Sequence, residues 1–210
     1  MRRLVRAGPL VFRDPLLLCG ALYLLLWSDA SGFLRIGLYA AVLHELGHIL
    51  VYLALFRRLP VIEVTMTGLC MRTRGQALTR GQTFLLAAAG PGTNALLAAV
   101  WAVRMEQYAA IRDSAFLAAN VLTGAFNLLP IPPLDGSRIL LVALPQRAYF
   151  GLMKYERYIM IALLAAVWFG ALDTPLYYLN NIVWELLGKG TGYIDKIAYS
   201  IYYAGLGTVV

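Results

Sequence analysis

His44-Glu45-Leu46-Gly47-His48 sets two imidazoles four residues apart with a carboxylate directly after the first. On a helix that advances by about 100° per residue, positions four apart return to nearly the same face one turn on, so both rings can grip one ion. Glu45 projects from an adjacent direction. It is suited to take a proton from water that a zinc ion has made acidic. The chain has only these two histidines. Two placed at random would lie four apart in about 1% of arrangements, and a glutamate directly after the first lowers that to about 2 in 10,000.

A tetrahedral catalytic zinc usually takes three protein ligands and keeps one position for water. With no third histidine, and with Cys19 and Cys70 read as packing residues, the third ligand should be a carboxylate. Most of the eleven acidic residues fall at segment borders, in turns or in the tail. Asp135 stands apart in Asn127-Leu-Leu-Pro-Ile-Pro-Pro-Leu-Asp135-Gly136, between two apolar blocks, where Pro130, Pro132 and Pro133 prevent a continuous helix. Irregular backbone at membrane depth requires surrounding protein or a water-filled cavity. His44, His48 and Asp135 are therefore the expected metal ligands, and Glu45 the expected catalytic acid/base. In Ala89-Gly90-Pro91-Gly92-Thr93-Asn94, the glycines at 90 and 92 would let a neighbouring backbone approach, and Asn94 could hydrogen-bond the site or a substrate.

The elements that must hold these residues are apolar. Hydrophobic residues make up 60% of the 210 residues and charged ones only 14%, against roughly 45–50% and about 25% for a soluble domain. Apolar blocks run over 15–27, 34–56, 83–103, 114–129, 137–144 and 158–172, the last with a continuation toward 187. A span needs about 20 apolar residues, so the expectation is an all-α polytopic membrane protein with five or six transmembrane helices. It would form one domain over 1–210, with a core at 34–140, C-terminal helices and tail at 141–210, and neither a PDZ nor a CBS domain. Strict alternation from Val61 to Thr67 and a weaker one from Leu69 to Arg74 predict a small hairpin at the membrane surface. Its edge could hold an extended peptide. Arg2, Arg3, Arg6 and Arg13 precede the first block, and Arg57, Arg58, Arg72, Arg74 and Arg80 lie between the second and third. By the positive-inside effect, the N-terminus and that loop should be cytoplasmic in a multi-pass protein of the cell membrane. These short clusters account for the formal charge of +7 without a nucleic-acid partner.

The zinc motif, Gly90-Pro91 with Asn94, and Asn127 with Pro-Pro-Leu-Asp135-Gly136 together resemble the site-2 protease family of intramembrane zinc metalloproteases, peptidase family M50. Within it the chain is most similar to the small bacterial branch related to the sporulation pro-sigma-factor protease. The resemblance implies Zn2+ bound by His44, His48 and Asp135, Glu45 as acid/base, and Asn94 and Asn127 as residues that position the site or bind substrate. It also implies a membrane-spanning or membrane-associated protein substrate, hydrolysed in or near its transmembrane segment to release a regulator, with a regulatory membrane protein as a further partner. A membrane zinc transporter or channel would need ligands along a path, and no further histidine exists. A catalytically silent scaffold would have no use for the glutamate.

Overall fold

The computed structural model describes residues 4–65, 68–72, 77–105, 111–143, 151, 154–171, 174, 178, 181–182 and 185. Two strands come first, β1 (Leu4–Ala7) and β2 (Leu10–Arg13), followed by helices α1 (Pro15–Ser28) and α2 (Phe33–Phe56). Then come β3 (Val61–Thr65), β4 (Gly68–Arg72), α3 (Arg80–Met105), α4 (Ile111–Asn127), α5 (Asp135–Ala143) and α6 (Glu156–Trp168). The helices coincide with the apolar blocks to within a few residues. The continuation expected toward 187 lies largely outside the described residues.

Helices α2 and α3 are 24 and 26 residues long, about 36 and 39 Å at 1.5 Å per residue, enough for a hydrocarbon core of about 30 Å. Among the described residues these two are long and apolar enough to cross a bilayer, and Pro15–Ser28 and Ala115–Asn127 are shorter apolar helices. Helix α2 turns large apolar side chains outward and both histidines inward. Leu38, Val42, Leu46, Leu50 and Leu53 are exposed at helical spacing, whereas Ala40, His44, Gly47, His48 and Tyr52 are buried. In water each exposed side chain would forgo about 1.5–3 kcal/mol of burial, a loss that hydrocarbon removes. Cys19, expected to pack, is exposed on α1, because nearly all of that short helix faces outward.

The fold is mostly helical, as expected, but its β part is a small mixed sheet and not a single hairpin. Four strands form one sheet in the order β1-β2-β3-β4, with β2 parallel to β3 and both outer pairs antiparallel. The expected hairpin is β3–β4, and its tip at 66–67 lies outside the described residues. The first hairpin was not expected. It turns at Gly8, whose φ of 62° suits a residue without a Cβ. Because β3 is paired on both sides, the outer edges of this sheet belong to β1 and β4, and the edge expected over 61–74 is confined to β4. Glu63 joins three strands, accepting from Arg13 at 3.2 Å and Arg72 at 2.8 Å. The β2–β3 pairing also brings the chain before α1 and the chain after α2 to the same end of that helix pair.

Helix α3 is the centre of the bundle, packed against α2, α4 and α5. Two glycines allow the α2–α3 approach. A Cβ at Gly47 would stand 2.8 Å from the Ala89 carbonyl and 2.9 Å from Cβ of Thr93, and a Cβ at Gly90 would run into the two histidines of α2. Gly92, expected to share that role, has nothing near its missing Cβ, because 200° of helical turn carries it to the other side of α3.

Candidate metal centre

His44 lies 11 residues after the start of α2 and 12 before its end, about 17 Å from each, so the motif sits halfway along the helix. The spacing of four brings the rings together with centroids 4.9 Å apart and planes at 77°. Asp135 arrives from the proline-rich segment. After α4 the chain turns through short hydrogen bonds, Ile131 N–H to the Leu129 carbonyl (2.8 Å) and Leu134 N–H to the Ile131 carbonyl (2.9 Å). A cis peptide joins Pro132 and Pro133. Gly136 makes the fold-back possible, because a Cβ there would overlap the Leu128 carbonyl and come within 2.5 Å of that of Leu129. Asp135 is thereby held as the first residue of α5, where Oδ2 lies 2.9 Å from Nε2 of His44 and 3.0 Å from Nε2 of His48. The two Nε2 atoms are 3.2 Å apart.

The other nitrogen of each ring decides what these atoms are. Nδ1 of His44 faces Oδ1 of Asn94, and Nδ1 of His48 lies 2.7 Å from the Leu86 carbonyl. Both oxygens can only accept, so each neutral imidazole carries its proton on Nδ1 and presents a lone pair at Nε2. Two such lone pairs and a carboxylate oxygen converge on one point, an arrangement that a cation resolves. Ligands bound at 2.0–2.1 Å around a tetrahedral zinc stand about 3.3 Å apart, close to the 2.9–3.2 Å found here. Gly90 leaves the space for it, since a Cβ there would fall on Nε2 of both histidines. Among the described residues, His44, His48 and Asp135 form the group of this kind able to hold a metal ion, and all three are buried.

Glu45 is half-buried beside His44 and is not one of the converging donors. Asn94 is fully buried, and all its polar atoms face protein: Oδ1 accepts from His44, while Nδ2 donates to Asn120 Oδ1 (2.9 Å) and the Ala40 carbonyl (3.3 Å). Its amide is thus taken up by protein partners, one of them the His44 ring. Asn127 donates from Nδ2 to the Thr123 carbonyl of its own helix at 2.9 Å and is not among the donor group. Sequence reading missed Asn120 and the Leu86 carbonyl. An amide inside the 114–129 block was a signal for the first. A backbone carbonyl leaves none.

No family model matches the chain. It is 28% identical over 153 residues to a Mycobacterium tuberculosis protein named as a zinc metalloprotease, Rip3, covering 66% of this chain and 39% of that one. It is 30% identical over 132 residues to YwhC of Bacillus subtilis, also named as a zinc metalloprotease, covering 56% and 57%. The chain thus spans about half the length of these curated relatives or less. The structure superposes on the site-2 protease from Methanocaldococcus jannaschii with a TM-score of 0.56 and 19% identity, over 90% of this chain and 94% of that one. The fold is that of a site-2 protease. Both curated relatives are named as zinc metalloproteases, and two imidazoles with one carboxylate are a donor set that zinc accepts.

Proposed function

We propose that the chain is an intramembrane zinc metalloprotease that hydrolyses a peptide bond in or near the transmembrane segment of a membrane-bound protein, releasing a regulator. The observation that carries this reading is the convergence of His44 Nε2, His48 Nε2 and Asp135 Oδ2 halfway along a helix whose outer face is apolar. When bound there, zinc supplies Lewis acidity toward the scissile carbonyl and the attacking water. Asn94 and the Leu86 carbonyl fix the rings that hold it. Glu45, outside the donor group but on the same helix, takes the proton from the attacking water and returns it to the departing amine. A helical substrate hides its peptide bonds and has to be unwound locally, and the outer edge of β4 offers strand addition to the extended segment. Asn127, at the end of α4, is a candidate contact for that segment. The arginines before α1 and after α2 support a cytoplasmic sheet in a multi-pass protein. Labelling of single cysteines at Thr67 and Ala30 would then report opposite faces, with Thr67 cytoplasmic.

Glu45→Gln tests the chemistry. The variant keeps nearly the same size and polarity but lacks the basic carboxylate, so it should retain zinc and lose cleavage of a co-expressed single-span substrate by a factor of about 100 or more. Near-normal cleavage by a zinc-loaded variant defeats the mechanism. A wild-type chain that binds zinc and cleaves none of a panel of single-span proteins turns the reading toward transport or scaffolding.

A further inference from the structure

The polar line through the bundle does not end at Asn94. Its Nδ2 donates to Oδ1 of Asn120 on α4 at 2.9 Å, and Nδ2 of Asn120 donates to the Phe116 carbonyl at 2.9 Å. Both amides are fully buried, with no exposed surface. Gly124, one turn after Asn120, brings α4 close at the same place, where a Cβ would stand 3.3 Å from Cβ of Asn94.

An asparagine amide can turn over and exchange its oxygen with its nitrogen, but a backbone carbonyl cannot. The Phe116 carbonyl only accepts. Asn120 must therefore point its NH2 toward Phe116 and its oxygen toward Asn94. Asn94 must then point its NH2 toward Asn120 and its oxygen toward His44. His44 must in turn carry its proton on Nδ1, leaving the Nε2 lone pair to the metal. The Ala40 carbonyl acts in the same sense at a longer 3.3 Å; like the Phe116 carbonyl, it also serves the ladder of its own helix.

We propose that Asn120, remote from the metal, is a positioning residue that sets the polarity of the Asn94 amide and thereby the tautomer of His44. The inference rests on the metal-centre reading above and adds a third helix, α4, to the elements that tune the ligands. His48 provides an internal control, because its Nδ1 is fixed by the Leu86 carbonyl of α3 and does not depend on Asn120.

The experiment uses the full chain in detergent, with zinc as the probe and two readouts. One is zinc affinity by chelator competition, and the other is 15N NMR of labelled histidine in the zinc-free protein, where only two rings contribute. Asn120→Leu removes the acceptor while keeping the same branched outline, at somewhat greater bulk. It should weaken zinc binding by about 10–100-fold and mix the tautomers of His44, leaving His48 unchanged. Asn120→Asp keeps an accepting oxygen toward Asn94 and should stay within about threefold of wild type, with His44 still protonated at Nδ1. Should the leucine variant fail to fold, Asn120→Ala removes the same acceptor without added bulk and should give the same two shifts. Wild-type affinity and an unmixed His44 in a folded Leu or Ala variant overturn the proposal. Equal weakening in Leu and Asp variants also overturns it, since that outcome marks a packing role alone. A wild-type chain that takes up no zinc overturns the metal centre itself, and the inference with it.

Discussion

Gly90 and Gly92 are two residues apart on α3 and should respond oppositely to the same substitution. In Gly90→Ala the new Cβ would stand 2.6 Å from Cε1 of His44 and nearer still to Nε2 of both histidines. Carbon contacts settle at about 3.5–4.0 Å, so the His44 ring would have to retreat by about 1 Å. Zinc–nitrogen bonds tolerate a displacement of about 0.2 Å, and the retreat is several times that. Zinc affinity should fall by about 100-fold or more. Stability should change by less: overpacking costs about 1–3 kcal/mol, and alanine in place of a helical glycine returns about 0.5–1. In Gly92→Ala the Cβ meets nothing within 4 Å, so zinc affinity should be unchanged and the unfolding temperature equal or slightly higher. Metal content by mass spectrometry and chelator competition on the purified variants give the comparison. A Gly90→Ala protein with wild-type zinc affinity, or a Gly92→Ala protein equally damaged, would refute both the placement of the metal and the helical register behind it.

Asp135→Ala leaves two imidazoles as donors and should weaken zinc binding by about 100-fold or more, measured by the same competition. Gly47→Ala should push α2 from α3 and destabilise the chain by about 1–3 kcal/mol, seen as a lower unfolding temperature in detergent. At the start of α2, Asp29 accepts from Leu34 N–H (3.3 Å) and Arg35 N–H (3.0 Å). Desolvation alone would raise its carboxyl, but the backbone N–H groups of Arg35, Leu34 and Gly32 and the Ser31 hydroxyl outweigh it and hold it below the ordinary 3.8. A carboxyl lowered by folding contributes stability above its unfolded pKa and loses it as pH falls through the folded one. Asp29→Ala should therefore unfold at a lower temperature than wild type at pH 7, with the difference narrowing once the pH drops below about 3.8.

The donors and their helices were legible because the features that mark them are local. Four residues between two histidines are enough to place both rings on one face, and the prolines before Asp135 announce a break whatever surrounds it. Strand β3 was legible from its own alternation. Strands β1 and β2 were not, because Leu10-Val11-Phe12-Arg13 lacks a clear period of two and becomes a strand by pairing with β3, 52 residues away at Ile62. The Gly8-Pro9 turn signal was present but was absorbed into a basic lead-in to the first helix. Asn120 and the contrast between Gly90 and Gly92 depend on which way a helix is rotated toward its neighbours. A helix as evenly apolar as α2 or α3 contains little that would reveal this from sequence.

The parallel pairing of β2 with β3 sets a timetable for synthesis. Strand β2 is complete at Arg13, but its partner begins only at Val61, 48 residues later. At about 5–20 residues per second, the ribosome needs roughly 2–10 s to deliver it. Throughout that interval the β1–β2 hairpin is a two-stranded ribbon too small to be stable alone, and one edge of β2 has no partner. The partner strand arrives only after α1 and α2 have been made, so the sheet can close only around a helical hairpin that already exists. In this chain α1 and α2 are synthesised before the sheet can close, and the closed sheet then locks the two ends of that helix pair together.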